Sequence, residues 1–186
     1  GEILRNPDMG NTYRRIASAG VEDFYQGAIA SKIVADMKDN GGLLSGDDLR
    51  DFQTEQREPV WGEFHGYEVA TNPLPGGGAM VIEMLNILSH FDLKAMGHNS
   101  TRYIATVAEA MKIATVDKDM HMGDPRYVDV PLNFLLSAEH AEKMATRIRN
   151  GEKTSVPRLN SGADNKDTTH VCAVDDMGNC VSMTHS

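Results

Sequence analysis

Between residues 165 and 186 a polar run, Asn165-Lys166-Asp167, opens directly into two alternating apolar segments, residues 169–174 and 180–185, joined by Asp175-Asp176-Met177-Gly178-Asn179. Alternation of period two predicts strands. The five-residue link, with glycine at 178 to take a positive φ, predicts a tight hairpin with a bulge. In that register Cys172 and Cys180 lie diagonally, not opposite each other, so no disulfide between them is expected.

Upstream, the periodicity is mostly helical. Asp8 is placed to cap a helix running to about residue 18, and a second helix is predicted over 22–38, where Phe24, Ala28, Ile29, Ile33, Val34 and Met37 recur at helical spacing before Asn40-Gly41-Gly42 ends it. Ser45 caps a short turn over 46–52. Two runs, 59–64 and 67–71, separated by His65-Gly66, predict a β-hairpin. The turn Asn72-Pro73-Leu74-Pro75-Gly76-Gly77-Gly78 leads into a helix with Met80, Val81, Met84, Leu85 and Leu88 on one stripe, followed by helices over about 100–120 and 138–149 and a polar loop over 151–167. These elements make an α+β protein.

Composition excludes several classes. Among the 186 residues, 18 Lys and Arg stand against 27 Asp and Glu, a net charge of −9, which leaves no basic surplus for phosphates, and nucleic acid is not an expected partner. No apolar run approaches the ~20 residues of a membrane span. Residues 1–8 carry no export pattern and no initiator methionine, so the chain reads as an internal piece of something longer. The two cysteines lack CxxC spacing and a nearby histidine cluster, so a zinc site is disfavoured.

A polar loop ending at Asp167, then Thr168, then a strand has the order needed by one kind of catalyst. A threonine hydroxyl is a weak nucleophile unless a base lies beside it, and its own α-amino group serves once the chain is cut before it. Taken locally, Thr-Thr before a strand is an ordinary strand start. The wider sequence adds more. Thr168-Thr169-His170, the Asp175 to Asn179 turn and Val181-Ser182-Met183-Thr184-His185-Ser186 stand in the order and spacing of the γ-glutamyltranspeptidase family. Phe24-Tyr25-Gln26-Gly27, the Pro73 to Gly78 turn running into Leu85-Asn86-Ile87-Leu88, and the segment from Gly123-Asp124-Pro125 to Pro131 extend the resemblance over nearly the whole chain.

That resemblance implies a partial N-terminal nucleophile (Ntn) hydrolase αββα sandwich, and an enzyme that transfers or hydrolyses γ-glutamyl amides such as glutathione after cutting itself between Asp167 and Thr168. Thr168 is then the nucleophile and Ser186 the second hydroxyl beside it, where the family usually has Thr. His170 is expected to seat the strand rather than act as a base. No metal or organic cofactor is implied. Residues 1–167 would be the C-terminal part of the large-subunit region and 168–186 the first strands of the small-subunit region, one structural unit and a fragment of a longer precursor. Its partners would be a small γ-glutamyl substrate, the rest of that precursor and, through an exposed strand edge, a copy of itself. The family suggests a periplasmic or extracellular location.

The chain also departs from the family. Leu74-Pro75 stands where relatives carry serines. The family's oxyanion-hole glycines and the groups that hold the substrate's α-amino and α-carboxylate lie beyond Ser186, and its substrate-binding arginine lies before Gly1, so the isolated chain is expected to be inactive. A related acylase, of cephalosporin or polyglutamate type, is the alternative enzyme, and an inert self-associating fragment the alternative of another class. Asp117, Asp119, His121 and Asp124 have a metal-like look but are expected to form a solvated helix end. Gly76-Gly77-Gly78 lacks the Lys-Ser/Thr of a nucleotide loop and reads as a turn into a helix.

Overall fold

A computed structural model describes residues 2, 3, 5–157 and 169–185, which form two compact units, residues 1–57 and residues 58–186. The first unit is helical: α1 (Pro7–Ala19), α2 (Glu22–Tyr25), α3 (Ala28–Asp39) and α4 (Gly46–Asp51). Asn6, not Asp8, caps α1, its Oδ1 accepting from the Met9 N–H at 3.0 Å. Pro7 follows at the first helical position, where its missing N–H costs nothing, and this moves the start back so that Asp8 falls inside the first turn.

The helix expected over 22–38 is broken at Gln26-Gly27. The reason is Asp23. Its carboxylate is gripped by Arg15 through Nε at 2.6 Å and Nη2 at 2.9 Å, and Oδ1 also accepts from the Ala28 N–H at 3.1 Å. The carboxylate so supplies the acceptor that Gly27, at the cap position of α3, has no side chain to offer. The Arg15 hydrogen bond holds the Asp23 carboxyl down at about 2, against the opposing effect of its desolvation. Ser45 begins α4 as expected, in a capping box: its Oγ accepts from Asp48 N–H at 3.2 Å while Asp48 Oδ2 accepts from Ser45 N–H at 2.8 Å.

The second unit begins with the antiparallel pair β1 (Val60–Phe64) and β2 (Tyr67–Thr71), Val60 facing Thr71 and Phe64 facing Tyr67. Then come α5 (Gly78–Leu88), α6 (Leu93–Met96), α7 (Thr101–His121), α8 (Leu132–Leu135), α9 (Ala138–Arg149) and the pair β3 (Thr169–Val174) and β4 (Cys180–His185). The core lies where α5, α7 and α9 meet: Ile87 and Leu88 pack with Ala110, Ile113, Ala141, Met144 and Ala145. The alanines on α7 and α9 let the three helices approach closely.

Of the stripe expected on α5, only Leu88 is buried. Ala79, Ile82, Glu83, Ile87 and Leu88 are buried, while Val81 is exposed and Met80, Met84 and Leu85 are half-buried. This helix is apolar nearly all round, so its spacing does not select a face. Packing selects it: α7 and α9 cover one side and the β1–β2 hairpin another, so close that a Cβ on Gly62 would meet Ile82 Cγ2 at 2.6 Å. The short α6 and α8 carry too few residues for a periodic signal and were not foreseen.

The glycine turn into α5 is a close-packing device. A Cβ on Gly78 would fall on the backbone oxygen of Asn72 and lie 2.5 Å from Thr71 Oγ1, whereas a Cβ on Gly77 meets nothing within 4 Å. Leu74 is buried. Gly78→Ala should therefore destabilise the chain by about 3 kcal/mol, since a backbone atom cannot swing aside, and Gly77→Ala by less than about 1 kcal/mol. Urea unfolding of the two variants checks the contrast, and equal losses would refute it.

Beyond α9 the chain is tied back to α7. Glu109, 5% exposed, accepts from Lys112 Nζ at 2.6 Å and from the Thr154 N–H at 3.0 Å. Burial pushes its carboxyl up, but the Lys112 and Thr154 hydrogen bonds and the Lys112 and Lys153 charges outweigh it and hold the group below its usual range.

Candidate functional site

The β3–β4 hairpin has the predicted register. Thr169 faces His185, His170 faces Thr184, Cys172 faces Ser182 and Val174 faces Cys180. Cys172 and Cys180 are thus diagonal, and both are free thiols. Asp175 builds the turn: Oδ1 accepts from the N–H groups of Met177 at 3.0 Å and Asn179 at 2.8 Å, and Oδ2 accepts from Asn179 Nδ2 at 2.7 Å. These bonds, the Asn179 side chain foremost, hold the Asp175 carboxyl below its ordinary range. Gly178, at φ +83°, provides the left-handed residue that closes the turn.

His170 is held on this ladder at both ring nitrogens. Nδ1 lies 2.8 Å from Thr184 Oγ1 and Nε2 lies 3.0 Å from Ser182 Oγ, with Cys172 Sγ 3.3 Å from Nε2. A ring pinned across two strands at once fits the strand-seating role expected of it. Asp167, Thr168 and Ser186, the expected cleavage site, nucleophile and neighbouring hydroxyl, lie outside the described residues. Every described side chain of β3 is exposed, and Val171, Val174, Val181 and Met183 are each about half exposed or more.

A second group of chemistry-bearing residues was not foreseen. Glu83 on α5, Asp117 on α7 and His140 on α9 converge inside the helical core, with His140 Nε2 2.9 Å from Asp117 Oδ2 and 3.4 Å from Glu83 Oε1. Three local features bring them together. Ser137 caps α9 by accepting from the His140 N–H at 3.1 Å, which fixes His140 in the first turn. Asn86, one turn beyond Glu83, donates from Nδ2 to the Leu136 carbonyl at 3.0 Å and ties α5 to the start of α9. Asp117 continues the inward stripe of α7 after Thr106, Ala110 and Ile113.

The expected solvated helix end therefore holds for Asp119, paired with Lys118 at the surface, and fails for Asp117. Asp117 lies among acidic neighbours in sequence, but its spacing from Ile113 puts it on the inward face of α7. Glu83 gave the stronger signal, a carboxylate in the middle of an almost wholly apolar helix. Burial first, and the Asp117 carboxylate beside it second, push the Glu83 carboxyl up to about 9, so at neutral pH it carries a proton.

The family model for gamma-glutamyltranspeptidase matches residues 1–186. The chain belongs to the γ-glutamyltranspeptidase family. It is 36% identical over 191 residues to a glutathione hydrolase proenzyme of Pseudomonas sp. (strain A14), covering 100% of this chain and 33% of that protein. It is also 36% identical over 187 residues to the acylase ACY 1 proenzyme of Pseudomonas sp. (strain V22), covering 100% of this chain and 34% of that one. Among solved structures, the γ-glutamyltranspeptidase of Helicobacter pylori superposes with a TM-score of 0.74 at 31% identity, over 88% of this chain and 49% of the other. The fold is thus the α+β, Ntn-hydrolase fold of these enzymes, in part. The chain spans about a third of the length of the curated relatives it matches. Among the described residues, no helix of this γ-glutamyltranspeptidase relative is long and apolar enough to cross a membrane.

Proposed function

We propose that this chain is the portion of a γ-glutamyltranspeptidase precursor that carries the cleavage site and the nucleophile, Thr168. The observation that carries the reading is the match of the family to the whole chain, which takes in the hairpin of residues 169–185 and its Asp175 to Asn179 turn. Thr169 faces His185 across the ladder, and Thr168 and Ser186 are the next residues outward in the sequence of each strand. Residues 1–167 belong to the large-subunit region and 168–186 open the small-subunit region.

The chemistry is acyl transfer. Thr168 Oγ attacks the Asp167 carbonyl carbon; as the ester forms the peptide C–N bond breaks and the freed Thr168 α-amine takes the hydroxyl proton, and water then hydrolyses the ester, releasing the Asp167 α-carboxylate and restoring the Thr168 hydroxyl. The freed amine then takes the hydroxyl proton as Oγ attacks the γ-carbonyl of a glutamyl amide. The departing amine leaves with a proton, and water or a second amine resolves the ester. Ser186 Oγ, a donor and an acceptor, orients the nucleophile. The uncovered apolar side chains of β3 and β4 suit a hairpin completed by the rest of a precursor, which in the curated relatives is about three times as long as this chain. Without that remainder the chain alone is inactive and self-associates at its strand edges.

A second reading is favoured by one observation, the 36% identity to an acylase proenzyme. The full-length precursor tested on a γ-glutamyl anilide and on a glutaryl anilide, which keeps the acyl chain and drops the α-amino group, separates the two. A site built to hold the amine should prefer the γ-glutamyl compound at least about 10-fold in kcat/KM. The reverse preference gives the acylase reading, and a cleaved precursor that turns over neither sinks both.

A further inference from the structure

We propose that Glu83, Asp117 and His140 bind a divalent transition-metal ion of the zinc type, through Glu83 Oε1, Asp117 Oδ2 and His140 Nε2. This stands on the geometry of the helical core and does not rest on the reading of Thr168. The three side chains each offer a ligand atom, and these atoms all lie within 4.8 Å of one another. A tetrahedral ion with ligands at about 2.0–2.1 Å places them about 3.3 Å apart. The separations of 2.9 and 3.4 Å from His140 Nε2 straddle that value. One imidazole and two carboxylates make a mixed nitrogen and oxygen set, which suits zinc and its neighbours better than calcium or magnesium, ions that ask for six or more oxygens or for an octahedron of oxygens and waters.

The independent sign of an occupant is what the protein leaves unfilled. Glu83 is 0% exposed and His140 5%, yet neither Glu83 Oε2 nor His140 Nδ1 has a hydrogen-bond partner. Buried polar atoms are almost always partnered, and a buried carboxylate oxygen with no donor is costly. A cation that displaces the Glu83 proton and is held by that carboxylate in bidentate fashion would engage Oε2 and offset the charges of both Glu83 and Asp117. Asp117, its side chain 17% exposed, is the one of the three open to solvent and gives the ion a way in. With no acceptor on His140 Nδ1 to orient the ring, affinity should be 10–100-fold weaker than at a fully supported site, in the micromolar range. The ion would clamp α5, α7 and α9 together.

The test uses the chain with Cys172→Ser and Cys180→Ser, because the exposed thiol of Cys172 beside His170 could take up zinc of its own. After dialysis against EDTA, zinc chloride is titrated calorimetrically and thermal unfolding is followed with zinc. One zinc per chain is expected, with Tm raised by about 5–10 °C at a hundredfold excess over Kd. Glu83→Gln and His140→Gln, each near in size to the residue replaced, should weaken binding at least about 10-fold. Cobalt(II) should give a ligand-field spectrum without a thiolate charge-transfer band in the chain that keeps its cysteines. Absence of stoichiometric zinc up to about 1 mM would overturn the proposal. So would zinc binding indifferent to both variants, which would place the ion elsewhere, and so would a core that responds to pH and not to zinc, which would make a proton the occupant.

Discussion

Replacing Thr168 by alanine in the full-length precursor is expected to leave a single uncut polypeptide and to abolish γ-glutamyl anilide turnover, a loss on the order of 10⁴-fold or more. On the proposed mechanism one hydroxyl serves both steps, attacking the Asp167 carbonyl during maturation and the substrate's γ-carbonyl afterwards. Alanine removes the only atom that forms the ester in either. Thr168→Ser keeps the oxygen and drops the methyl that restricts its rotamer, so the serine variant should still cut itself, more slowly, and retain part of the activity. Intact-mass measurement reads the first outcome directly, as one species for alanine and two for serine. An alanine variant found split between residues 167 and 168 would remove Thr168 from the mechanism. The 186-residue chain alone should remain uncut if, as the proposed reading has it, the strained turn and oxyanion donors that cleavage needs come from the rest of a precursor.

The second large effect is expected at Glu83, in protein stripped of metal. Its carboxyl titrates near 4.5 when the chain is unfolded and at about 9 when folded, so the folded state holds a proton that the unfolded state gives up over that interval. Stability contributed by this group is complete below about pH 4.5 and is lost as pH rises towards 9. A displacement of that size corresponds to several kcal/mol, on the order of 5, across the window. The charged and titratable groups that face Glu83 from the packed helices are Asp117 on α7 and His140 on α9. Glu83→Gln, which is neutral at every pH, should flatten the decline in urea-unfolding free energy between pH 5 and 9. A wild-type curve already flat there would contradict the upward displacement of this buried carboxyl. Zinc should reverse the trend in the wild type, since an ionised Glu83 is the form that binds it.

Much of this protein was legible in its sequence because the signals were local. The hairpin at residues 169–185 needed only alternation and a turn whose aspartate, glycine and asparagine satisfy its own backbone, and the ladder formed in the expected register. Ser45, Ser100 and Ser137 each start a helix where a side-chain oxygen can accept from the third residue on. The family pattern also lies in local blocks, so Thr168 and Ser186 were named as candidates from sequence, although they lie outside the described residues.

What the sequence left open was decided by contacts between segments far apart in the chain. Helix α5 is apolar on every side, and only the β1–β2 hairpin, α7 and α9 determine that Ile82, Glu83 and Ile87 are buried while Val81 is exposed. The break at Gly27 depends on Arg15 reaching Asp23 from another helix. The Glu83, Asp117 and His140 cluster unites residues 34 and 23 positions apart in sequence, and none of the three stretches shows the others' presence. Sequence alone thus determined most of the longer elements, the hairpins and the family, because capping, alternation and turn chemistry act over a few residues. Only tertiary packing decided which faces were buried and which charges lost their water, because desolvation depends on neighbours that arrive from elsewhere in the chain.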